Sequence, residues 1–204
     1  MRIFAVGRNY AEHIKELSNE RPDEPVIFTK PDTALIRNNA PFYYPEFSKD
    51  IHYEGELVLR ICKEGKMISE KFAAKYFDAI GIGVDFTARD LQQKAKEKGL
   101  PWDIAKGFNG SAPVSDKFIP VKDFKELNSI NFSLTVNGEL KQQGNTGLML
   151  FSFDYIISYL SKFFTLRTGD LIFTGTPKGV GKVSENDILE AYLENEKLFS
   201  LKIQ

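Results

Sequence analysis

The sequence predicts an α+β fold, mainly β, and three patterns point to it. Leu57, Leu59 and Ile61 alternate with Glu56, Val58 and Arg60, the period-two signature of a strand. Ala79-Ile80-Gly81-Ile82-Gly83-Val84 is an apolar run with the length of a buried strand, and it closes on Asp85. Ile130, Phe132, Leu134 and Val136 alternate and run into Asn137-Gly138, the strongest two-residue hairpin signal. Few helical patterns stand beside these strands.

The bounds agree with one domain spanning residues 1–204, with 42% hydrophobic residues to build a core. A net charge of -1 gives no electrostatic case for nucleic acid or an anionic membrane as partner. Cys62 is alone, which excludes a disulfide framework within the chain and suits a reducing, cytoplasmic setting. The apolar run at residues 1–7 is too short for a signal peptide, and no stretch approaches the roughly 20 apolar residues of a membrane span.

In chain order, Ile3 to Val6 reads as a short buried strand that turns at Gly7-Arg8. Asn9 is placed to cap a helix from Tyr10 to about Leu17, with Glu12 at capping-box spacing. Residues 18–25 are polar and contain prolines, the composition of a mobile loop that can act as a lid. Val26 to Thr29 is a strand ended by Lys30-Pro31, and residues 34–50 are irregular. The strand around Glu54 and Glu56 follows, then a turn at 64–66 and a short helix from Ser69 to about Lys75. After the strand from Tyr76 to Asp85, a helix starts at Thr87 and stops at Gly99 and Pro101. Residues 102–113 are turn-rich. Beyond the hairpin at 137–138, residues 144–147 form a loop, and residues 152–164 carry a helical stripe of Phe153, Ile156, Ile157, Tyr159, Leu160 and Phe163. Asp170 to Phe173 is a strand, and a Gly/Thr loop covers 174–181. Ile188–Tyr192 and Leu198–Ile203 close the chain as a hairpin.

Several residues carry chemistry in this layout. Glu54 and Glu56 point the same way, one pleat apart, and repel unless a cation lies between them. They form either a solvated acidic face or, with Asp85, a hard-oxygen site for Mg²⁺ or Mn²⁺. His13 and Glu16 share a helix face at spacing three, as a surface pair or as a base with its orienting carboxylate. Arg89, four residues after Asp85, and Gln92, one turn further, are either helix surface or substrate contacts. Lys30 reads better as a solvated strand-end charge than as a pocket cation, and Lys106 sits in less polar company than most lysines here. The loop at 174–181 is not a P-loop, since its glycine–lysine–hydroxyl order is wrong, but its N–H groups and hydroxyls suit a carboxylate.

These residues fall in motifs that resemble the fumarylacetoacetate hydrolase family, in its short branch of acylpyruvate hydrolases and oxaloacetate decarboxylases. The motifs are Val6-Gly7-Arg8-Asn9-Tyr10-Ala11-Glu12-His13, Phe28-Thr29-Lys30-Pro31, His52-Tyr53-Glu54-Gly55-Glu56-Leu57, Asp85-Phe86-Thr87-Ala88-Arg89-Asp90, Ala105-Lys106-Gly107-Phe108 and Thr174-Gly175-Thr176-Pro177-Lys178-Gly179-Val180-Gly181. Each is weak alone; six in one order are specific for the family and not for the substrate. Gly107 and Gly147 stand where the family often has serine.

The resemblance implies a rolled mixed β-sheet with peripheral helices, a homodimer, and Glu54, Glu56 and Asp85 as ligands of Mg²⁺ or Mn²⁺. It implies His13 and Glu16 as a water-activating dyad on a closing lid and Lys106 as a catalytic amine. Arg89, Gln92, Thr176 and Lys30 would then bind a small 2-oxo acid. The expected activity is hydrolysis of a C–C bond in an acylpyruvate through a metal-stabilised enolate. The alternatives are oxaloacetate decarboxylation and 2-oxo acid isomerisation or tautomerisation, as in a 2-hydroxyhepta-2,4-diene-1,7-dioate isomerase, at the same metal site.

Overall fold

The computed structural model describes residues 1–204. Its first part runs β1 (Ile3–Gly7), α1 (Ala11–Glu16), β2 (Val26–Lys30), β3 (Leu35–Ile36), β4 (Ile51–Tyr53), β5 (Gly55–Ile61) and β6 (Phe77–Val84). The middle holds β7 (Thr87–Ala88), α2 (Arg89–Lys98), α3 (Asp103–Lys106), β8 (Ala112–Pro113) and β9 (Ile119–Pro120). The chain then forms β10 (Asn131–Val136), β11 (Glu139–Asn145), α4 (Phe153–Phe163), β12 (Leu171–Phe173), β13 (Gly181–Lys182), β14 (Ile188–Leu193) and β15 (Glu196–Lys202). Strands dominate and helices are peripheral, as the sequence predicts.

The main sheet is mixed, with strand order β2-β1-β12-β5-β6-β9. Only β1 and β12 pair in parallel within it; the other neighbours are antiparallel. A second, antiparallel sheet of order β11-β10-β14-β15 packs on β5 and β6. Between them Leu57, Leu59, Ile80 and Ile82 meet Leu134, Leu189, Ala191 and Leu201 in the larger core. Each fully buried leucine or isoleucine among them contributes about 2 kcal/mol of transfer free energy. Val58 faces the other way, into a smaller core with Ile3, Ala5, Leu171 and Phe173. β5 is thus buried on both faces, which is why Glu56 on its second face is as dry as Leu57 on its first.

Local expectations fail where tertiary contacts override them. The strand expected to run unbroken through Glu54 is split there: β4 joins a small sheet with β7 and β13, and β5 joins the main sheet. Asn9 caps nothing, because its amide is wholly buried and holds other segments instead, so α1 starts after Tyr10 without a side-chain cap. Thr87 lies in β7 paired with His52, and α2 begins at Arg89, whose N–H donates to Asp50 O. Residues 70–75 wind as a 3₁₀-helix with no side-chain bond from Ser69. In α4 the Ser152 hydroxyl accepts from Tyr155 N, while Phe163, expected in the core, is 59% exposed. Gly99 ends α2 in the left-handed conformation as expected. No helix is long and apolar enough to cross a membrane.

The loop 174–181 passes over the end of β5 with two glycines at positive φ. Gly179 has φ +95°, and a Cβ there would lie 2.1 Å from the carbonyl oxygen of Lys141. Gly179→Ala is expected to destabilise the fold by about 1–3 kcal/mol, since both conformation and space exclude a side chain. Urea unfolding of the two proteins checks this, and equal midpoints would show that the loop adjusts freely.

Candidate active site

Glu54, Glu56 and Asp85 come from the break before β5, from β5 itself and from the end of β6, which are adjacent antiparallel neighbours. The backbone draws them together: Asp85 N donates to Glu54 O at 2.8 Å. One carboxylate oxygen of each lies within 4.8 Å of the others, and all three side chains are buried. The sequence-level ambiguity between solvated face and buried cluster resolves to the buried cluster.

Three basic groups answer these charges. Lys106 Nζ sits 2.7 Å from both Glu54 Oε2 and Asp85 Oδ2, above the ring of Phe28. Arg89 Nη2 donates to Glu54 Oε1 at 2.5 Å, and its Nη1 to Gln92 Oε1 at 2.6 Å. Lys30 Nζ lies 2.7 Å from Asp85 Oδ1 as an ion pair, while its directed hydrogen bonds go to Lys106 O, Ser111 O and Ser111 Oγ. Burial alone pushes the Glu54 carboxyl up, but Lys106 and then Arg89 outweigh it and hold it well below the usual range. Burial likewise disfavours the Lys106 ammonium, and Asp85 and Glu54 more than offset it, so this amine holds its proton more tightly than an ordinary lysine.

Glu56 is the exception. Its one hydrogen bond is from Gly175 N at 2.7 Å, and no basic side chain pairs with it. Burial first, then Asp85 and Glu54, push its carboxyl well above the usual value. A buried trio of hard oxygen donors with one member short of positive charge fits a divalent cation such as Mg²⁺ or Mn²⁺.

His13 reaches the same cavity from α1, while Glu16 lies outside its lining and meets it only through the His13 ring. His13 is buried, and its Nδ1 lies 3.1 Å from Glu16 Oε2. A carboxylate only accepts, so Nδ1 carries the hydrogen, and in the neutral ring Nε2 is the nitrogen with the lone pair. Glu16 Oε1 in turn accepts from Gly179 N at 2.9 Å, which fixes α1 to the glycine loop. His13, the three acids, Arg89, Gln92, Lys106 and Thr176 all line one narrow, partly open cavity of about 30 Å³, room for a water or two at its floor.

Two candidates differ from expectation in place. Lys30 is neither a solvated charge nor a wall of this cavity; it lies behind Asp85 with its ammonium fully enclosed, and burial pushes its pKa down against the pull of Asp85. Thr176 lines the cavity, but its hydroxyl is committed to Gly55 O at 2.9 Å and to Gln142 Nε2 at 2.8 Å. Its contribution is to hold the loop.

Gln142 escaped the sequence reading, and Asn9 was read there only as a helix cap. The Gln142 amide accepts from Gly55 N at 2.8 Å and donates to Thr176 Oγ and Pro177 O, stitching the strand break at Glu54 to the loop. Its available signal was register: it is a polar residue at an inward position of the strand after the Asn137-Gly138 turn. The Asn9 side chain donates to Phe151 O and Thr174 O and accepts from Phe151 N. The Asn-specific pattern of donor and acceptor is invisible without knowing those partners. Arg8, Asn19, Lys96 and Trp102 also line the cavity.

The geometry and the sequence agree with known proteins. Residues 2–202 match the family described as fumarylacetoacetate (FAA) hydrolase C-terminal, and the chain belongs to that family. It is 45% identical over 202 residues to the mitochondrial oxaloacetate tautomerase FAHD1 of Mus musculus, covering 99% of this chain and 91% of that protein. It is 44% identical over 190 residues to the mitochondrial oxaloacetate decarboxylase of Dictyostelium discoideum, covering 93% and 87%. The crystal structure of fumarylpyruvate hydrolase from Pseudomonas aeruginosa in complex with Mn²⁺ and pyruvate superposes with a TM-score of 0.93 at 36% identity, covering 100% of this chain and 89% of that one. The fold is the family's mixed, rolled sheet with peripheral helices.

The enclosed pair of Lys30 and Asp85 makes a stability prediction. Lys30→Met leaves a buried carboxylate short of a partner and should cost about 3 kcal/mol, with Asp85→Asn in the same chain restoring part of it. Urea denaturation of the single and double variants measures this; a loss below about 0.5 kcal/mol would mark Lys30 as structurally idle.

Proposed function

We propose that the protein is a metal-dependent tautomerase of 2-oxo dicarboxylic acids of the oxaloacetate class. The carrying observation is His13, with its Nδ1 held by Glu16, in one buried cavity with the acidic trio. The name of the mouse relative supports tautomerisation over the acylpyruvate hydrolysis expected from the sequence.

Keto–enol tautomerisation moves one proton and changes no other bond partner: the enol oxygen gives a proton up and C3 gains one. Glu54, Glu56 and Asp85 would hold a divalent cation that withdraws charge from the 2-oxo oxygen. Arg89, with Gln92 hydrogen-bonded to its Nη1, offers a guanidinium fork for the C1 carboxylate. His13 Nε2 exchanges the proton at C3, and Glu16 keeps the ring in the tautomer that makes Nε2 the base. Lys106 contributes a fixed positive charge and an N–H donor beside the developing oxyanion. Closure of the cavity shields this charge shift from water.

Hydrolysis of an acylpyruvate is the second reading, because the same imidazole can deprotonate a water and the Pseudomonas aeruginosa neighbour is a fumarylpyruvate hydrolase. The two are separated by following the absorbance of enol-oxaloacetate and of an acylpyruvate with the Mg²⁺-loaded protein. Tautomerisation is expected to have the higher kcat/KM, and His13→Ala to lower it by about 10²–10⁴-fold, the usual weight of a general base. Oxaloacetate decarboxylation, which needs no such proton transfer to begin, should fall far less in the same variant. Faster acylpyruvate cleavage than tautomerisation in the wild type would hand the assignment to hydrolysis.

A further inference from the structure

We propose that Arg8 and Lys96 form a subsite for the second carboxylate of a dicarboxylic substrate, and that Asn19 fills this subsite when no substrate is present. The inference deepens the function proposed above and rests on it for the identity of the reacting end.

Both cations line the cavity that holds Glu54, Glu56, Asp85 and His13. Both converge on one neutral atom: Arg8 Nη2 lies 3.2 Å and Lys96 Nζ 3.3 Å from Asn19 Oδ1. Neither is ion-paired with any carboxylate of the chain. An amide oxygen carries only a partial charge, so two cations gathered on it repel each other with little compensation. The strain is visible at Lys96, where burial and then Arg8 and Arg89 push the ammonium below its usual pKa. A carboxylate in place of the amide oxygen satisfies both donors with charge-assisted bonds.

The backbone aims these groups. Arg8 has φ +60°, the left-handed region that non-glycine residues rarely occupy. It is held there between β1 and the buried Asn9, whose side chain is bonded on both sides. Lys96 follows Arg89 and Gln92 on α2 at spacings of three and four, so the three share one helix face that rises roughly 10 Å from end to end. Arg89 stands at the acidic trio and Lys96 at the other end of that row, packed near the Trp102 ring at 5.8 Å. An acid with its 2-oxo end at the trio thus meets Arg8 and Lys96 with its far end. Asn19 belongs to the polar loop after α1, so its displacement by the far carboxylate couples substrate charge to movement of the segment that carries His13.

The test compares two unreactive ligands that share the C1 carboxylate and a C2 oxygen and differ in the far carboxylate: malate and lactate. Their affinities for the Mn²⁺-loaded protein are measured by calorimetry. Wild type is expected to bind malate at least tenfold more tightly than lactate, as two charge-assisted contacts imply. The double variant Arg8→Gln/Lys96→Met should lose that preference while its lactate affinity stays within about threefold, and each single variant should lose part of it. Arg8→Lys, with charge retained, should keep more of the preference than Arg8→Gln. Equal affinity of wild type for the two ligands, or a preference that survives in the double variant, overturns the subsite. A wild type that prefers malate yet does not tautomerise enol-oxaloacetate overturns the reaction and leaves the subsite standing.

Discussion

Three carboxylates held out of water at ligand distance from one another are the constraint on which the rest of this structure depends. Two unit charges 4.8 Å apart repel by roughly 3 kcal/mol at an effective dielectric constant of about 20, and the trio contains three such pairs. The protein meets this with Lys106 across Glu54 and Asp85, Arg89 on Glu54 and Lys30 behind Asp85. Glu56 receives one backbone N–H and no cation. The three cations equal the three carboxylates in number but leave Glu56 without one, and its oxygen lies where those of Glu54 and Asp85 converge, as a divalent-cation site requires.

The scaffold around the trio keeps that arrangement. Gly55 lets the chain change sheets between Glu54 and Glu56, and the Gln142 amide occupies the space a side chain there would fill. Gly175 approaches Asn9 so closely that a Cβ would lie 2.6 Å from that side chain, which brings its N–H to Glu56. Glu16 then joins α1 to the same loop through Gly179. The base and the acids are thus both tied to one loop, Glu16 through Gly179 N and Glu56 through Gly175 N.

Much of this was legible in the sequence because it follows from local pattern. Period-two alternation located β5 and β10, a continuous apolar run located β6, Asn137-Gly138 located the hairpin, and Gly99 located the end of α2. The acidic trio was legible because two of its members sit one pleat apart and the third closes an apolar strand. The misreadings share a cause. Asn9 and Thr87 have the residue types of helix caps and starts, and the first was reassigned by partners distant in sequence and the second by strand pairing, while Ser69 stands at its helix start without a side-chain bond. Lys30 looked solvated because a lysine beside proline at a strand end usually is; its burial depends on Ser111 and Asp85, which no local window contains. Gln142 and the Arg8–Asn19–Lys96 cluster lay beyond reach for the same reason.

The central claim is that Glu54, Glu56 and Asp85 form one divalent-cation site whose unpaired member is Glu56. Titration of the protein with Mn²⁺, followed by calorimetry or by the electron paramagnetic resonance of the free ion, tests it most directly. The account predicts one bound ion per chain and a loss of affinity of about a hundredfold or more in Glu56→Gln, with the fold intact by circular dichroism. Unchanged Mn²⁺ affinity in that variant, or no binding by the wild type, would contradict it.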